Sequence, residues 1–339
     1  IGASRDSGSV GYGILRNLIH GCVFSSEYCR GFKGRVFAVN PNAEEILGIR
    51  CYSNIKVIKE KIDLAIVAVP AKFVLSVIRD CVKKKVKGII LISAGFAEFG
   101  KKGRKMQEDI VGILKKARIP LIGPNCLGII RPCADLNASF APSMPPKGKI
   151  AFVSQSGAIA DSIIDWAITE RYGFSALISY GNKAMLDCYD FLEWLGNDKE
   201  TKAIALYIEG LNDGRKFMEI AKKVSRKKPI VVLKAGRTDA GKKAIASHTG
   251  SLAGSYRIYE SAFKQSGLVI ADTIEGLFDI AKGLANQPNC KKNAVAIVTN
   301  GGGCGVLCAD FCEKLGVNVV ELKKSTVEKL DKSGKMHPA

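Results

Sequence analysis

Residues 64–92 read LAIVAVPAKFVLSVIRDCVKKKVKGIILI. Leu64-Ala65-Ile66-Val67-Ala68-Val69 and Gly88-Ile89-Ile90-Leu91-Ile92 are near-continuous apolar runs, and the residues between them have helical spacing. A strand wetted on one face alternates polar and apolar residues, whereas an unbroken run is what a strand covered on both faces requires. A parallel, doubly wound sheet follows, and with it an α/β fold. Outward from this unit, Arg35-Val36-Phe37-Ala38-Val39 and Ile119-Pro120-Leu121-Ile122 supply further strands. Ile1-Gly2-Ala3 reads as the end of another strand whose earlier residues precede this sequence.

Residues 131–148 hold Pro132, Pro142, Pro145 and Pro146 with few periodic apolar positions, which marks a connection. A second series then begins, with strands at Lys149–Val153, Ala176–Tyr180, Ala203–Ile208, Ile230–Leu233 and Leu268–Ile270. The pattern breaks again near Gln287-Pro288-Asn289. Ala294–Val298 then leads through Asn300-Gly301-Gly302-Gly303 into a helix, much as Ala151-Phe152-Val153 leads through Ser154-Gln155-Ser156-Gly157. These resemble two copies of one unit. The expected organisation is therefore a first domain over 1–130, a connection over 131–148, a second domain over 149–287, and over 288–339 the start of a third domain, cut short.

Lys and Arg outnumber Asp and Glu 51 to 32, giving a formal net charge of +19. The basic residues form short groups such as Lys83-Lys84-Lys85 and Arg226-Lys227-Lys228 near helix ends, where cations favour the dipole, and aromatics are not interleaved with them. This argues against a nucleic-acid partner and for steering of small polyanions. No apolar stretch approaches the roughly 20 residues that span a bilayer, so no membrane partner and a cytoplasmic location are expected. Eleven cysteines without a compact framework spacing read as reduced thiols. Cys304, Cys308 and Cys312 recur every four residues and read as a buried apolar stripe rather than metal ligands, so no metal site is expected in this chain.

Ligands of open parallel sheets bind beyond the carboxyl ends of the strands. That edge here carries Val69-Pro70, Ser93-Ala94-Gly95 and Asn125-Cys126 in the first domain, although each is equally an ordinary tight turn. Gly2, Gly8, Gly11 and Gly13 make a glycine-rich turn whose spacing is not GxGxxG, and Asn40-Pro41 stands where a nicotinamide-binding unit places an acid. A nucleotide suits the fold; a dehydrogenase does not suit these residues. In the second domain Ser154-Gln155-Ser156-Gly157 opens a helix whose first N–H groups would cradle phosphate. His248, in Ser247-His248-Thr249-Gly250-Ser251, sits between a glycine- and lysine-rich loop and a second helix start, where neutral imidazole can accept a phosphoryl group; alone, it reads more readily as a capping or loop histidine, and the surrounding sequence reverses that. Glu209 ends a strand at the same edge and could fix the imidazole tautomer, or be a solvated strand-end acid. Lys234 and Arg237 remain unassigned.

Six ordered motifs carry a resemblance. Gly2-Ala3-Ser4-Arg5 with Ser9-Val10-Gly11, Gly123-Pro124-Asn125-Cys126-Leu127-Gly128, Ser154-Gln155-Ser156-Gly157, Tyr207-Ile208-Glu209-Gly210, Ser247–Ser251 and Asn300–Gly303 are similar to the α subunit of the ADP-forming (NDP-forming) acyl-CoA synthetases, such as ADP-forming acetyl-CoA synthetase, in the succinyl-CoA synthetase superfamily. The resemblance implies a Rossmann-like CoA-binding domain followed by flavodoxin-like parallel-sheet domains. It implies CoA contacts at Gly2, Ala3, Ser4, Arg5, Gly8, Ser9, Val10 and Gly11, at Asn40, Pro41, Val69 and Pro70, and at Ser93, Ala94, Gly95, Asn125 and Cys126. It makes His248 the phosphate carrier and Glu209 its stabilising carboxylate. Ser154, Gln155, Ser156, Gly157, Thr249, Gly250 and Ser251 would hold the phosphate. The implied reaction is acyl-CoA, phosphate and ADP to acid, CoA and ATP, reversibly, through an acyl phosphate and a phosphohistidine. ADP or ATP with Mg2+ would bind an ATP-grasp module on a partner β subunit, in an α2β2 heterotetramer, or elsewhere in a fused chain. The rival function is a CoA-binding regulatory module of a protein acetyltransferase.

Overall fold

The structure, a computed structural model, describes the backbone of residues 1–249, 255–288, 290 and 292–334, and the side chains of all of these except 246–249. The chain divides into two compact units, 1–287 and 288–339.

In the first unit, α1 (Val10–His20) begins after Ser9, whose Oγ accepts the Tyr12 N–H at 3.2 Å and caps the helix. β1 (Ala38–Val39), β2 (Glu45–Ile46) and β3 (Ile49–Tyr52) form one small sheet, β1 parallel and β2 antiparallel to β3. β4 (Leu64–Val67), α2 (Ala71–Lys84), β5 (Gly88–Leu91), α3 (Lys101–Ala117) and β6 (Leu121–Ile122) follow as parallel strands with crossover helices. Ile1 and Gly2 link the two sheets: Gly2 N–H donates to Val39 O at 3.0 Å and Ala68 N–H to Ile1 O at 2.9 Å. The apolar runs of β4 and β5 enter the core as their pattern requires, with Val67, Ile90 and Leu91 wholly enclosed.

A seven-stranded sheet follows in the same unit. Its elements are β7 (Gly128–Arg131), β8 (Leu136–Ser139), β9 (Lys147–Ser154), α4 (Gly157–Thr169), β10 (Phe174–Ser179), α5 (Cys188–Asn197), β11 (Ala203–Ile208), α6 (Gly214–Ser225), β12 (Ile230–Lys234), α7 (Asp239–Thr249), α8 (Tyr256–Gln265), β13 (Val269–Ile270) and α9 (Ile274–Asn286). The order is β13-β12-β11-β9-β10-β7-β8, with β9 to β13 parallel. One face packs on α4 and α9 around Phe152, Phe174 and Phe278, whose Phe152–Phe278 edge contact is 5.0 Å between ring centroids. The other packs on α5, α6 and α8 through Phe191, Phe217 and Phe263. Burying each such ring contributes on the order of 2–3 kcal/mol. The α/β fold expected from the apolar runs is the fold observed.

Several expectations need correction. Residues 131–148 are not a bare connection: β7 and β8 form a hairpin whose β7 strand pairs antiparallel with β10, and both faces of the hairpin are buried, Ile130 in one core cluster and Ala138 in another. The stretch before His248 is not a loop, since α7 runs to Thr249; Ala240, Lys242, Lys243, Ala244 and Ala246 are helix formers that outweigh Gly241. Cys22 and Cys29 form a disulfide, their Cα atoms 5.7 Å apart across a tight loop, while the other nine cysteines are free thiols.

The second unit contains β14 (Ala294–Val295), α10 (Gly302–Lys314), β15 (Asn318–Val319) and α11 (Lys324–Lys332), with β14 and β15 parallel. No described residue of it is buried, and Cys304 and Cys308 are exposed rather than a buried stripe. Two short strands and two helices offer too little apolar surface to enclose a core. Among the described residues, no helix is long and apolar enough to cross a membrane.

Candidate active site

The residues that follow β4, β5, β6, β9, β10 and β11 line one cavity of about 1040 Å³ between the β4–β6 sheet and the seven-stranded sheet. Val69 and Pro70 come from β4, Ser93 and Ala94 from β5, and Asn125 and Cys126 from the turn after β6. From the facing sheet come Gln155, Ser156 and Gly157 after β9 and Glu209 after β11, with Val10 from the start of α1. The sequence-predicted strand ends of both domains thus meet in one place.

Each wall is held by its own hydrogen bonds. Ser93 Oγ donates to Val69 O at 2.6 Å, and Asn125 N–H donates to Ser93 O at 3.0 Å, joining three consecutive turns. Asn125 has a left-handed φ of +57°, a conformation that Asn tolerates better than other side-chain-bearing residues. Ser154 is fully buried; its Oγ donates to Ser156 O at 2.7 Å and accepts the Ser156 N–H at 3.1 Å. It builds the turn and does not line the cavity. Ser156 caps α4, leaving the first-turn N–H groups of Gly157 and Ala158 for an anion. Gly157 packs against the turn before β7, where even a Cβ would only reach van der Waals contact, 3.4 Å from Leu127 N. Gln155 Oε1 accepts the N–H groups of Glu209 and Gly210 at 3.0 and 3.1 Å, fixing the ends of β9 and β11 to each other.

The site is electrostatically mixed. Glu209 is buried, and its charge partly offsets the effect of burial on Lys234, whose ammonium is lowered by desolvation to about 8. Lys234 also donates to Ala235 O at 2.5 Å and stands 4.6 Å from the centre of the Tyr259 ring. Lys234 is therefore part of the Glu209 environment, whereas Arg237 is occupied by an ion pair with Asp272. Burial, then the neighbouring Asp165 charge, raises the Asp161 carboxyl on the cavity wall. Burial pushes the Cys126 thiol up to about 12, which leaves it protonated at neutral pH and unfit as a nucleophile.

The remaining expected contacts lie elsewhere. Gly2, Ala3 and Gly11 line a separate apolar cavity of about 440 Å³. Gly2 has φ +90°, and a Cβ there would fall 2.2 Å from Ala68 O. Arg5 donates to Asn42 O at 3.0 Å and Asn40 Nδ2 to Ala3 O at 2.6 Å, so Ser4 and Arg5 share a corner with Asn40 and Pro41. Gly8 N–H donates to Asp6 Oδ1 at 3.0 Å, in the turn that ends at the capping Ser9. Gly95 is spent on a turn, its N–H donating to Glu98 Oε1 at 2.6 Å. His248 and Thr249 belong to the last turn of α7, with their side chains outside the described residues. Gly250 and Ser251 also lie outside the described residues.

Sequence reasoning missed Asn182 and Lys183, which line the same cavity after β10, and Arg104, Asp161 and Asn212 with them. The strand-end rule that selected Glu209 applies equally to the residues after β10 and would have found the first two.

Two family models match the chain. Residues 1–132 match the model described as CoA binding domain, and residues 147–284 match the succinyl-CoA ligase like flavodoxin domain. The chain is 47% identical over 330 residues to the α subunit of acetate–CoA ligase [ADP-forming] II of Pyrococcus furiosus, covering 97% of this chain and 70% of that one. Identity to acetate–CoA ligase [ADP-forming] I of Archaeoglobus fulgidus is also 47%, over 97% of this chain but 46% of the relative, so the chain spans about half that protein's length. Among solved structures, acetyl-coenzyme A synthetase 1 of Ca. Korarchaeum cryptofilum, in complex with phosphate and ADP, superposes with a TM-score of 0.89 at 40% identity, covering 98% of this chain and 69% of that one. The chain belongs to the family of ADP-forming acyl-CoA synthetases that includes the ADP-forming acetate–CoA ligases.

Proposed function

We propose that this chain performs the acyl- and phosphoryl-transfer steps of an ADP-forming acyl-CoA synthetase, with acetyl-CoA as the first acyl substrate to try. The observation that carries this reading is the single cavity onto which Ser93, Ala94 and Asn125 of the CoA-binding part and Gln155, Ser156, Gly157 and Glu209 of the ligase part all open. A thioester presented from one wall and a phosphate held on the other would meet there without crossing solvent.

In the proposed sequence, a phosphate oxygen attacks the thioester carbonyl, the C–S bond breaks, and the CoA thiolate leaves and takes up a proton. The N–H groups opening α4 face the resulting phosphoryl group. An imidazole nitrogen of His248 then attacks phosphorus and the carboxylate departs, giving acid and phosphohistidine. Glu209 stabilises the cationic imidazole that forms. Delivery to ADP with Mg2+ belongs to an ATP-grasp partner, in an α2β2 assembly; the P. furiosus relatives are themselves named as α subunits, which supports a divided enzyme. The named relatives are ligases, which favours catalysis over the regulatory alternative.

The test is labelling of the chain, with its partner present, from acetyl-CoA and radioactive phosphate. Acid-labile, base-stable label is expected on the parent and on His20→Asn, and none on His248→Asn. Label on His248→Asn at the parental level overturns the assignment.

A further inference from the structure

We propose that the Lys183 ammonium binds the reacting oxyanion, holding inorganic phosphate as it attacks the thioester and then the phosphoryl group of the acyl phosphate. The inference rests on the proposed function and assigns a substrate-binding role within it.

The loop bearing Lys183 is fixed to an unusual degree. Gly181 has φ +53°, and a Cβ there would stand 2.1 Å from Asn125 O and 2.4 Å from Pro124 O. Asn182 N–H donates to Pro124 O at 3.0 Å and Ala184 N–H to Gly123 O at 3.1 Å, strapping the loop to the turn that carries Asn125. The Asn182 amide donates across to Glu98 and Gln107 of the first domain. Lys183 itself has φ +46°, its N–H donating to Tyr180 O at 3.2 Å and its carbonyl accepting from Asn212 Nδ2 at 3.0 Å. A left-handed lysine costs roughly 1–2 kcal/mol, and the surrounding bonds hold it there.

The side chain is spent in a way that structure alone does not need. Lys183 is only 8% exposed and lines the cavity. Desolvating an ammonium costs several kcal/mol unless an anion compensates. Among the described residues no carboxylate lies within 4.0 Å of it. Asp187 is the acid whose field reaches it, but the Asp187 oxygens already accept Cys188 N–H at 2.7 Å and Asn212 N–H at 2.9 Å in capping α5. The same cavity is lined by Gly157 and Ala158, whose helix-opening N–H groups also favour an anion. A buried cation and a helix start opening on one cavity make a site for a multiply charged oxyanion, and phosphate dianion offers more charge than the carboxylate of the product acid. The Lys183 ammonium would screen the negative charge of phosphate as it approaches the carbonyl.

The experiment measures binding of inorganic phosphate to the full chain by titration calorimetry, without turnover, for the parent, Lys183→Met, Lys183→Gln and Lys183→Arg. CoA affinity reports that the fold is kept. Loss of a charge-assisted contact should weaken phosphate binding about 10- to 100-fold in the Met and Gln variants, with partial rescue by Arg and CoA affinity within about twofold of the parent. With the partner subunit present, KM for phosphate should rise while KM for acetyl-CoA stays. Unchanged phosphate affinity overturns the proposal. So does weakened acetate binding with phosphate unaffected, which gives the cation to the product carboxylate. Loss of CoA binding in all three variants makes Lys183 structural and also overturns it. Phosphate binding that depends on Lys183 in a chain that never becomes labelled from acetyl-CoA would instead retire the proposed function and leave the oxyanion site standing.

Discussion

Ser154-Gln155-Ser156-Gly157 and Thr299-Asn300-Gly301-Gly302 are built alike and end differently. Ser154 Oγ accepts the Ser156 N–H at 3.1 Å and donates to Ser156 O at 2.7 Å; Thr299 Oγ1 accepts the Gly301 N–H and donates to Gly301 O, both at 3.1 Å. A helix of thirteen residues follows each turn. The first turn is sealed against a seven-stranded sheet, and α4 buries Ala160, Ile163, Ile164 and Ala167. The second follows a two-residue strand, and α10 buries none of its residues. One local hydrogen-bond device thus yields a cavity wall in one region and an exposed turn in the other. What turns the first into a candidate site is the neighbouring strand ends, Glu209 and Lys183 among them, that packing brings to it.

The largest test of that difference is Glu209→Gln. If the first turn works through its neighbours, removing the charge while keeping hydrogen-bonding capacity should slow phosphotransfer about 10²- to 10⁴-fold in single-turnover labelling. Unchanged turnover would reduce Glu209 to a strand-end residue and leave the two turns functionally alike.

A paired substitution measures what burial alone adds. Ser154→Ala removes a fully buried hydroxyl that both accepts the Ser156 N–H and donates to Ser156 O, so denaturant unfolding should register a loss of about 1–3 kcal/mol. Thr299→Ala breaks the same bond where water replaces it, with an expected change within about 0.5 kcal/mol. Equal losses would show that the turn's strength is local.

A last test concerns the charge buried beside Glu209, whose effect is confined to alkaline pH. Desolvation lowers Lys234 from 10.5 to about 8. Between those values the unfolded chain holds a proton that the native state lacks, so this group makes stability rise with pH from about 8 to 10.5, by at most about 1.4 kcal/mol per pH unit. Below that window both states are protonated, and the cost of burying the charge is fully present. Comparing the parent with Lys234→Met over pH 7–10 isolates this slope from other groups. Parallel stability curves would mean that the ammonium is hydrated in the native protein.

Much of the molecule was legible before any coordinates. Runs such as Leu64–Val69 and Ala203–Ile208 identify strands enclosed on both sides, because burial on two faces leaves no room for polar alternation. The strand-end rule then placed Ser93, Asn125, Gln155, Ser156 and Glu209 at a ligand edge, and all of them line the cavity. Less legible were the β7–β8 hairpin within 128–139, whose Pro132 and short alternation read as the start of a connection, and α7, where Gly241 and the lysines read as a loop. In both, favourable packing or propensity outweighed the local breakers.

By itself, the sequence determined the α/β class, the strand order along the chain and the motifs that identify the family, because periodicity and motif spacing are local properties of a chain. Only the tertiary structure decided that turns from two sheets enclose one cavity, that Cys22 reaches Cys29, and that Lys183 is buried facing that cavity. The cavity and the burial of Lys183 depend on contacts between residues tens of positions apart, such as Asn182 with Glu98 and Asn212 with Lys183, and the disulfide on how the loop between Cys22 and Cys29 folds back; nothing in the local pattern specifies these partners.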